Sequence, residues 1–263
     1  MTMDSAFGLI SMVLTSLGSA NENGISRAHF RDALSIATPS ALAASESAVP
    51  PDSEIRKILA DRIDTRHQSV GIVVGVVEPQ GRRIIAYGKL DAGDERILDG
   101  NTLFEIGSVT KVFTSLLLAD MVQRGEVELD DPVSKYLPSE VKVPNDGKRT
   151  ITLTDLATHR SGLPGMPNNF PPKDPTNPFA DYSVDQLYHF LSGYQLTRDI
   201  GSQFEYSNVG VGLLGHALSR RAGTDYETLV TSRICKPLEM ESTRITLSPE
   251  LTKRLAIEMW LKP

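Results

Sequence analysis

Near the start of the folded part, the pattern of apolar residues predicts a helix followed by a β-hairpin. Apolar residues recur every three or four positions over 54–66, which is typical of an amphipathic helix. Two runs rich in β-branched residues, 70–77 and 82–88, then flank a turn that includes Pro79 and Gly81. This order predicts one helix that covers the first strands of an α/β sheet.

The pattern changes to a helical period beyond the hairpin. The segment 109–125 predicts a helix that ends at Gly125, and Val112, Leu116 and Ala119 lie on successive turns of it. The middle of this segment is apolar nearly all round, so the sequence predicts a buried helix. Further periodic segments predict four more helices, at 152–159, 183–191, 208–222 and 225–234.

The amino-terminal residues differ in composition from the rest of the chain. Residues 1–51 are interpreted as a leader and linker, 52–105 as the first part of an α/β domain, and 106–263 as a mainly helical domain. The run 33–45 follows two arginines and resembles a secretory signal, which predicts a periplasmic or secreted protein. Polar residues and a proline interrupt the run, which favours the alternative of a disordered leader on a cytoplasmic protein.

Composition and charge exclude several classes of protein. The chain has 263 residues, with 27 Lys and Arg against 33 Asp and Glu, so its formal net charge is −6. Such a chain has no general attraction for nucleic acids or anionic membranes. Its apolar run at 6–14 is far shorter than the roughly 20 residues that a membrane helix needs, which argues against an integral membrane segment.

The cysteine and histidine content argues against disulfide and metal chemistry. The single cysteine, Cys235, excludes an intramolecular disulfide framework and is predicted to be a small buried side chain. The five histidines lie far apart and form no His-Glu-x-x-His pair, so no zinc site is predicted.

The first candidate for chemistry is Ser108 with Lys111. Residues three apart share one face of a helix, so an amine would lie beside a hydroxyl at the start of the helix. A serine becomes a nucleophile when a neighbouring base removes its proton, and burial can lower the pKa of a lysine enough for that task. Ser-x-x-Lys alone is a weak signal, and the alternative is a helix-capping serine followed by a solvated lysine.

Tyr206 and Asn208 form the second candidate. They place a phenol and an amide side by side on a turn before the next predicted helix. The phenol can transfer protons, and the amide can hold a substrate carbonyl or the lysine. The alternative is that Asn208 caps the helix that follows it.

Three segments in this order resemble the serine β-lactamase family. Residues 104–138 are similar to the first active-site block of class C β-lactamases, their esterase relatives and penicillin-binding carboxypeptidases. Residues 151–164 and 204–218 are similar to two later blocks of the family. The resemblance implies an α/β (α+β) fold of the serine β-lactamase and penicillin-binding-protein type, with the N-terminal part of an antiparallel sheet and an all-helical region.

The resemblance also implies a role for each residue. Ser108 would be the acylated nucleophile, Lys111 would take or relay its proton, and Tyr206 would be the general base or acid. Asn208 would help to position the substrate, and the backbone N–H of Ser108 would form half of an oxyanion hole. His159, in the second block, is interpreted as structural. The resemblance implies no metal and no organic cofactor.

The sequence departs from the family after Tyr206. No Lys-Thr-Gly or His-x-Gly tripeptide follows this residue, and the resemblance implies that the C-terminal strands and helix of the fold are missing. We therefore expect a truncated chain of reduced stability. Its hairpin, 70–88, is expected to have a bare edge and one uncovered face.

The sequence thus predicts a serine hydrolase that forms an acyl-enzyme on Ser108 and is similar to class C β-lactamases. Its substrate would be a small molecule or a peptidoglycan peptide, which means a β-lactam, a D-alanyl peptide or a short ester. One fold serves all three, so the fold does not choose among them. The alternative is a non-catalytic remnant, or a penicillin-binding relative without turnover.

Overall fold

A computed structural model describes residues 13–15, 49–91, 93–170, 172–174 and 178–256. The described residues belong to two compact units, of which one contains residues 49–102 and 254–256 and the other contains Leu103–Lys253. The signal-like run 33–45 and the carboxyl-terminal residues 257–263 lie outside the described residues.

The smaller unit contains the predicted helix and hairpin. Helix α1 (Asp52–Ala60) continues into a π-helical turn, Asp61–Thr65, so the helix predicted over 54–66 is confirmed. Strands β2 (Gly71–Glu78) and β3 (Gly81–Gly88) are antiparallel and pair along their whole length. These strands confirm the predicted hairpin.

One face of the hairpin is covered by α1. A small core joins the helix to this face, and its members are Ile55, Leu59, Val76 and Ile85. Side chains alternate between the two faces of a strand, so the neighbouring residues point the other way. On that outer face Val77 is 70% exposed and Ile84 is 41% exposed. The expected uncovered face is therefore present in the described part of the chain.

The larger unit is mainly helical. Its helices are α2 (Thr110–Gln123), α3 (Leu153–Ala157), α4 (Val184–Gly193), α5 (Asn208–Ala222), α6 (Tyr226–Val230) and α7 (Pro249–Thr252). A π-helical turn, Thr231–Cys235, extends α6, and short 3₁₀ turns lie at Gly107–Val109 and Val133–Tyr136. Strand β4 (Leu103–Glu105) forms a two-stranded sheet with β1 (Val13–Thr15). The helices predicted beyond the hairpin are all present.

Local capping interactions explain where several of these helices begin and end. Thr152 with Asp155, and Ser183 with Gln186, form capping boxes at the starts of α3 and α4. Gly223 ends α5 with a φ of 70°, a left-handed conformation that glycine adopts without strain. These ends are set by side chains and backbone within a single turn, which is why the sequence predicts them.

The core of the larger unit lies among α2, α4, α5 and α6. Its fully buried apolar side chains include Leu117, Met121, Leu187, Leu213, Leu214 and Leu218. Cys235 is also fully buried there, as predicted, and burial raises the pKa of its thiol. No helix among the described residues combines the length and the apolar character that a membrane crossing requires.

Helix α2 is buried on one side and exposed on the other, so the predicted burial holds for one side of the helix only. Phe113, Leu117 and Met121 face the core, whereas Val112 is 64% exposed and Leu116 is 46% exposed. Apolar residues occur on every side of this helix, so its own period does not select a buried face. Its contacts with α5 and α6 select it instead.

Candidate active site

The start of α2 carries Ser108 and Lys111. Ser108 lies in the 3₁₀ turn that precedes the helix, and Val109 rather than Ser108 occupies the capping position of α2. Lys111 lies in the first turn of the helix, and its Nζ donates a hydrogen bond to Ser108 Oγ at 3.1 Å. The spacing of three residues thus brings the amine to the hydroxyl, as the sequence predicts.

The start of α5 presents Tyr206 and Asn208. The capping residue of this helix is Ser207, whose Oγ accepts a hydrogen bond from the Gly210 N–H at 2.9 Å. Ser207 Oγ also donates to the Pro164 carbonyl at 2.6 Å. The alternative that Asn208 caps the helix is therefore wrong, because the preceding serine has that role.

The four predicted residues come together in the structure. Tyr206 Oη donates a hydrogen bond to Ser108 Oγ at 2.5 Å. Lys111 Nζ donates a second hydrogen bond to Asn208 Oδ1, at 2.8 Å, and lies 4.6 Å from the centroid of the Tyr206 ring. Segments nearly 100 residues apart in the sequence therefore converge on one hydroxyl oxygen.

The surroundings of Tyr206 favour its ionised form. Desolvation by itself would raise the pKa of Tyr206. Hydrogen bonds with Lys111 and Ser108, together with the positive charge of Lys111, outweigh desolvation and lower the pKa below its usual value. The side chain of Tyr206 is 43% exposed, so a substrate can reach it. The phenolate that this environment favours can accept the proton of Ser108.

The amide of Asn208 has a different partner at each end. Its Oδ1 accepts from Lys111, and its Nδ2 lies 3.5 Å from the sulfur of Met166, a weak acceptor. The backbone N–H of Asn208 donates to the Gly165 carbonyl at 2.9 Å. These contacts hold the amide with its oxygen towards the lysine.

Two further residues lie at the site: Met166, which the sequence does not single out, and His159, which the sequence analysis interprets as structural. The imidazole of His159 packs against Tyr206, with ring centroids 4.7 Å apart. Sequence reasoning places His159 only at the end of a short helix, and nothing in its local pattern indicates a contact with a residue 47 positions later. Among the described residues, no group of three or more His, Cys, Asp or Glu side chains could hold a metal ion.

Comparisons with known proteins identify the family and the fold of this chain. A family model described as Beta-lactamase matches residues 54–263. The chain belongs to the beta-lactamase family. One relative of this beta-lactamase-family chain is the D-alanyl-D-alanine-carboxypeptidase/endopeptidase AmpH of Escherichia coli (strain K12). It is 33% identical over 205 residues, which cover 78% of this chain and 53% of the relative.

Other members of the beta-lactamase family extend the comparison. A beta-lactamase of Escherichia coli (strain K12) is 32% identical over 186 residues, covering 71% of this chain and 46% of the relative. The crystal structure of a beta-lactamase/D-alanine carboxypeptidase from Yersinia pestis matches with a TM-score of 0.69 and 33% identity, covering 78% of this chain and 58% of that one.

A class C beta-lactamase structure from Rhodobacter sphaeroides matches with a TM-score of 0.63 and 29% identity, covering 76% of this chain and 53% of that one. These matches confirm the predicted serine β-lactamase fold class. The beta-lactamase-family chain spans about half the length of the curated relatives it matches.

Proposed function

We propose that this chain is a serine hydrolase of the beta-lactamase type that is acylated on Ser108. The observation that carries the proposal is the arrangement around one oxygen: Ser108 Oγ accepts hydrogen bonds from both Lys111 and Tyr206. The names of the relatives indicate two substrate classes, β-lactams and D-alanyl peptides, and we extend both to this chain. Short esters are a third class that the same acylation chemistry accepts.

Tyr206 is the donor in its hydrogen bond to Ser108, so the proposed acylation starts from the form in which Tyr206 has released this proton to solvent. The Ser108 hydroxyl then donates to the phenolate across the same contact and transfers its proton to it. The Ser108 oxygen then forms a bond to the carbonyl carbon of the substrate, and the carbonyl oxygen becomes an oxyanion. We propose that the backbone N–H of Ser108 donates a hydrogen bond to this oxyanion and so forms half of an oxyanion hole. The bond from carbon to the leaving nitrogen or oxygen then breaks, and Tyr206 returns its proton to the leaving group.

Lys111 and Asn208 support this step without changing bonds themselves. The ammonium of Lys111 donates to Ser108 and to Asn208, and its charge favours the phenolate of Tyr206. We propose that Asn208 holds the lysine and contacts the substrate. Deacylation would use water as the nucleophile and Tyr206 as the base. The rate of this second step separates a hydrolase from a penicillin-binding protein.

The cellular location follows from the proposed substrates and from the leader. D-alanyl peptides of the cell wall would be accessible to a periplasmic or secreted protein. We propose this location on the basis of the signal-like run 33–45.

The proposal is tested by covalent labelling with a fluorescent penicillin, read by intact mass. The chain and its Ser115→Ala variant, a control on the exposed side of α2, should each gain one adduct, and Ser108→Ala should gain none. Turnover of nitrocefin and of a p-nitrophenyl ester is measured in parallel. If the adduct disappears with time and the substrates are turned over, the chain is a hydrolase. If the adduct persists and no substrate is turned over, the result supports the penicillin-binding alternative. An unlabelled parent chain with no turnover of either substrate contradicts acylation on Ser108.

A further inference from the structure

The backbone of His159 has an unusual conformation for this residue type. It follows α3 and its capping residue, and it has a φ of 59°, in the left-handed region. Glycine is the common residue at this position after a helix, because a side chain is disfavoured there. A histidine in this conformation indicates that its surroundings compensate for the strain.

Two hydrogen bonds join His159 to the peptide groups on either side of Tyr206. The carbonyl oxygen of His159 accepts from the backbone N–H of Glu205 at 2.9 Å. Its Nδ1 accepts from the backbone N–H of Ser207 at 3.0 Å. One residue, from a segment far away in the sequence, therefore holds the chain both before and after the tyrosine.

The imidazole ring also supports the phenol directly. Its plane is tilted by 30° from the ring of Tyr206, at a centroid distance of 4.7 Å, and Phe204 packs edge-on against it at 5.5 Å. The hydroxyl of the supported phenol is the group that reaches Ser108 Oγ. The left-handed backbone of His159 is what directs both its carbonyl and its ring to this segment.

The hydrogen bonds determine the protonation state of the imidazole. A backbone N–H can only donate, so Nδ1 of His159 carries no proton and the ring is neutral, with its proton on Nε2. Burial, and then the charge of Lys111, lower the pKa of His159. Two charged residues adjacent in sequence to His159 and Tyr206 have their own partners: Arg160 donates to the Gly201 carbonyl, and Glu205 pairs with Arg198.

We propose that neutral His159 is a positioning residue that holds Tyr206 against Ser108, and that its protonation releases Tyr206 and stops acylation at acidic pH. When Nδ1 gains a proton, two donors face each other and the hydrogen bond from Ser207 is lost. The effect on acylation rests on the proposed function, whereas the positioning of the 205–207 segment does not.

The first test needs no substrate. Nitrogen NMR of the ¹⁵N-labelled chain should show His159 as the neutral tautomer with its proton on Nε2, its signal being assigned by its loss in His159→Asn. The backbone amide signal of Ser207 should shift with the same midpoint as the imidazole, below the usual pKa of histidine. The positioning role is overturned if the neutral ring carries its proton on Nδ1, or if the Ser207 amide signal does not shift as the imidazole titrates.

The second test is the pH profile of acylation in two matched variants. In His159→Asn the side-chain oxygen occupies the place of Nδ1, does not titrate, and suits the left-handed backbone. This variant should acylate within about threefold of the parent at neutral pH. It should lose the part of the parent's acid decline whose midpoint matches the His159 imidazole, and should keep the decline that protonation of Tyr206 causes. His159→Phe keeps a ring but has no acceptor, and should be about 10- to 100-fold slower at every pH.

Circular dichroism confirms that both variants are folded before rates are compared. A His159→Phe rate within about twofold of the parent, or an unchanged acid decline in His159→Asn, overturns the proposal. If the parent itself does not acylate, only the proposed function fails, and the NMR experiment then decides the positioning role alone.

Discussion

At the scale of single residues, Lys111 makes the contacts that bear most directly on the reactivity of Ser108. It donates to Ser108 Oγ at 3.1 Å and to Asn208 Oδ1 at 2.8 Å, and it lies above the ring of Tyr206. The phenol of Tyr206 completes the set through its own hydrogen bond to Ser108. The charge of one amine therefore acts on both the proposed nucleophile and the proposed base.

Replacing Lys111 by methionine should raise the pKa of Tyr206. The variant keeps a long side chain but removes the hydrogen bond and the positive charge that lower this pKa. Because the phenolate of Tyr206 is then disfavoured, labelling of Ser108 should slow by up to about 10²- to 10⁴-fold, the usual contribution of a general base. The pKa is measured from near-ultraviolet tyrosinate absorbance, as the difference from a Tyr206→Phe chain. Lys111→Arg keeps the positive charge, so its Tyr206 pKa and its labelling rate should lie between those of the parent and of Lys111→Met. A Tyr206 pKa that is the same in Lys111→Met as in the parent contradicts the role assigned to Lys111.

At the scale of elements, the start of α5 joins a structural role to a chemical one. Ser207 is 1% exposed, caps the helix through Gly210 and donates to the Pro164 carbonyl. The residues on either side of it are Tyr206 and Asn208. A change in the cap therefore disturbs the two side chains that converge with Lys111 on Ser108.

Ser207→Ala should lower both the stability and the reactivity of the chain. The lost cap costs about 1 kcal/mol and the unpaired Pro164 carbonyl about 1–3 kcal/mol more, which urea unfolding can measure. Ser183→Ala, which removes the cap of α4, is the matched control. It should cost about 1 kcal/mol and leave the labelling rate of Ser108 unchanged. Equal labelling rates in the two variants would show that the α5 cap does not position Tyr206 and Asn208.

At the scale of the whole molecule, Asp131 connects stability to pH. Its side chain is almost fully buried and accepts hydrogen bonds from Lys135 Nζ at 2.6 Å, from the hydroxyl of Tyr136, and from the Glu128 N–H at 2.8 Å. Burial by itself would raise the pKa of Asp131, but these hydrogen bonds and the charge of Lys135 lower it to about 2.

Asp131 should make the folded chain less stable as the pH falls from about 4 to about 2. An unfolded aspartate has a pKa of about 3.9, so the folded carboxylate stabilises the fold above that pH and loses this contribution as it is protonated. The contribution at neutral pH is about 2 kcal/mol. Asp131→Asn should lower the free energy of unfolding at pH 7 and flatten its fall in acid, as followed by urea unfolding at several pH values. Glu140→Gln, at an exposed surface position, is the control and should change neither the free energy of unfolding at pH 7 nor its fall in acid. If the free energy of unfolding falls in acid as much in Asp131→Asn as in the parent, Asp131 does not have this role.

Much of the secondary structure could be predicted because it depends on neighbours within one or two turns. The helix predicted at 208–222 is found as Asn208–Ala222, since a cap and Gly223 mark its ends. The buried side of α2 could not be predicted, because its apolar residues surround the helix and only the packing of α5 and α6 selects one side. Whether Ser207 or Asn208 caps α5 depends on where the helix begins, to within one residue. Helix-capping propensities do not resolve this difference, because both residue types are favoured there.

The sequence by itself determined the order of the elements and which residues are candidates for the proposed acylation, because periodicity, caps and the three-residue spacing of Ser108 and Lys111 are local properties. Only the tertiary structure decided that Tyr206 meets Ser108 and that His159 holds the chain on both sides of the tyrosine. Those contacts join segments 46 to 98 residues apart, and they form only when the helices pack around a shared core.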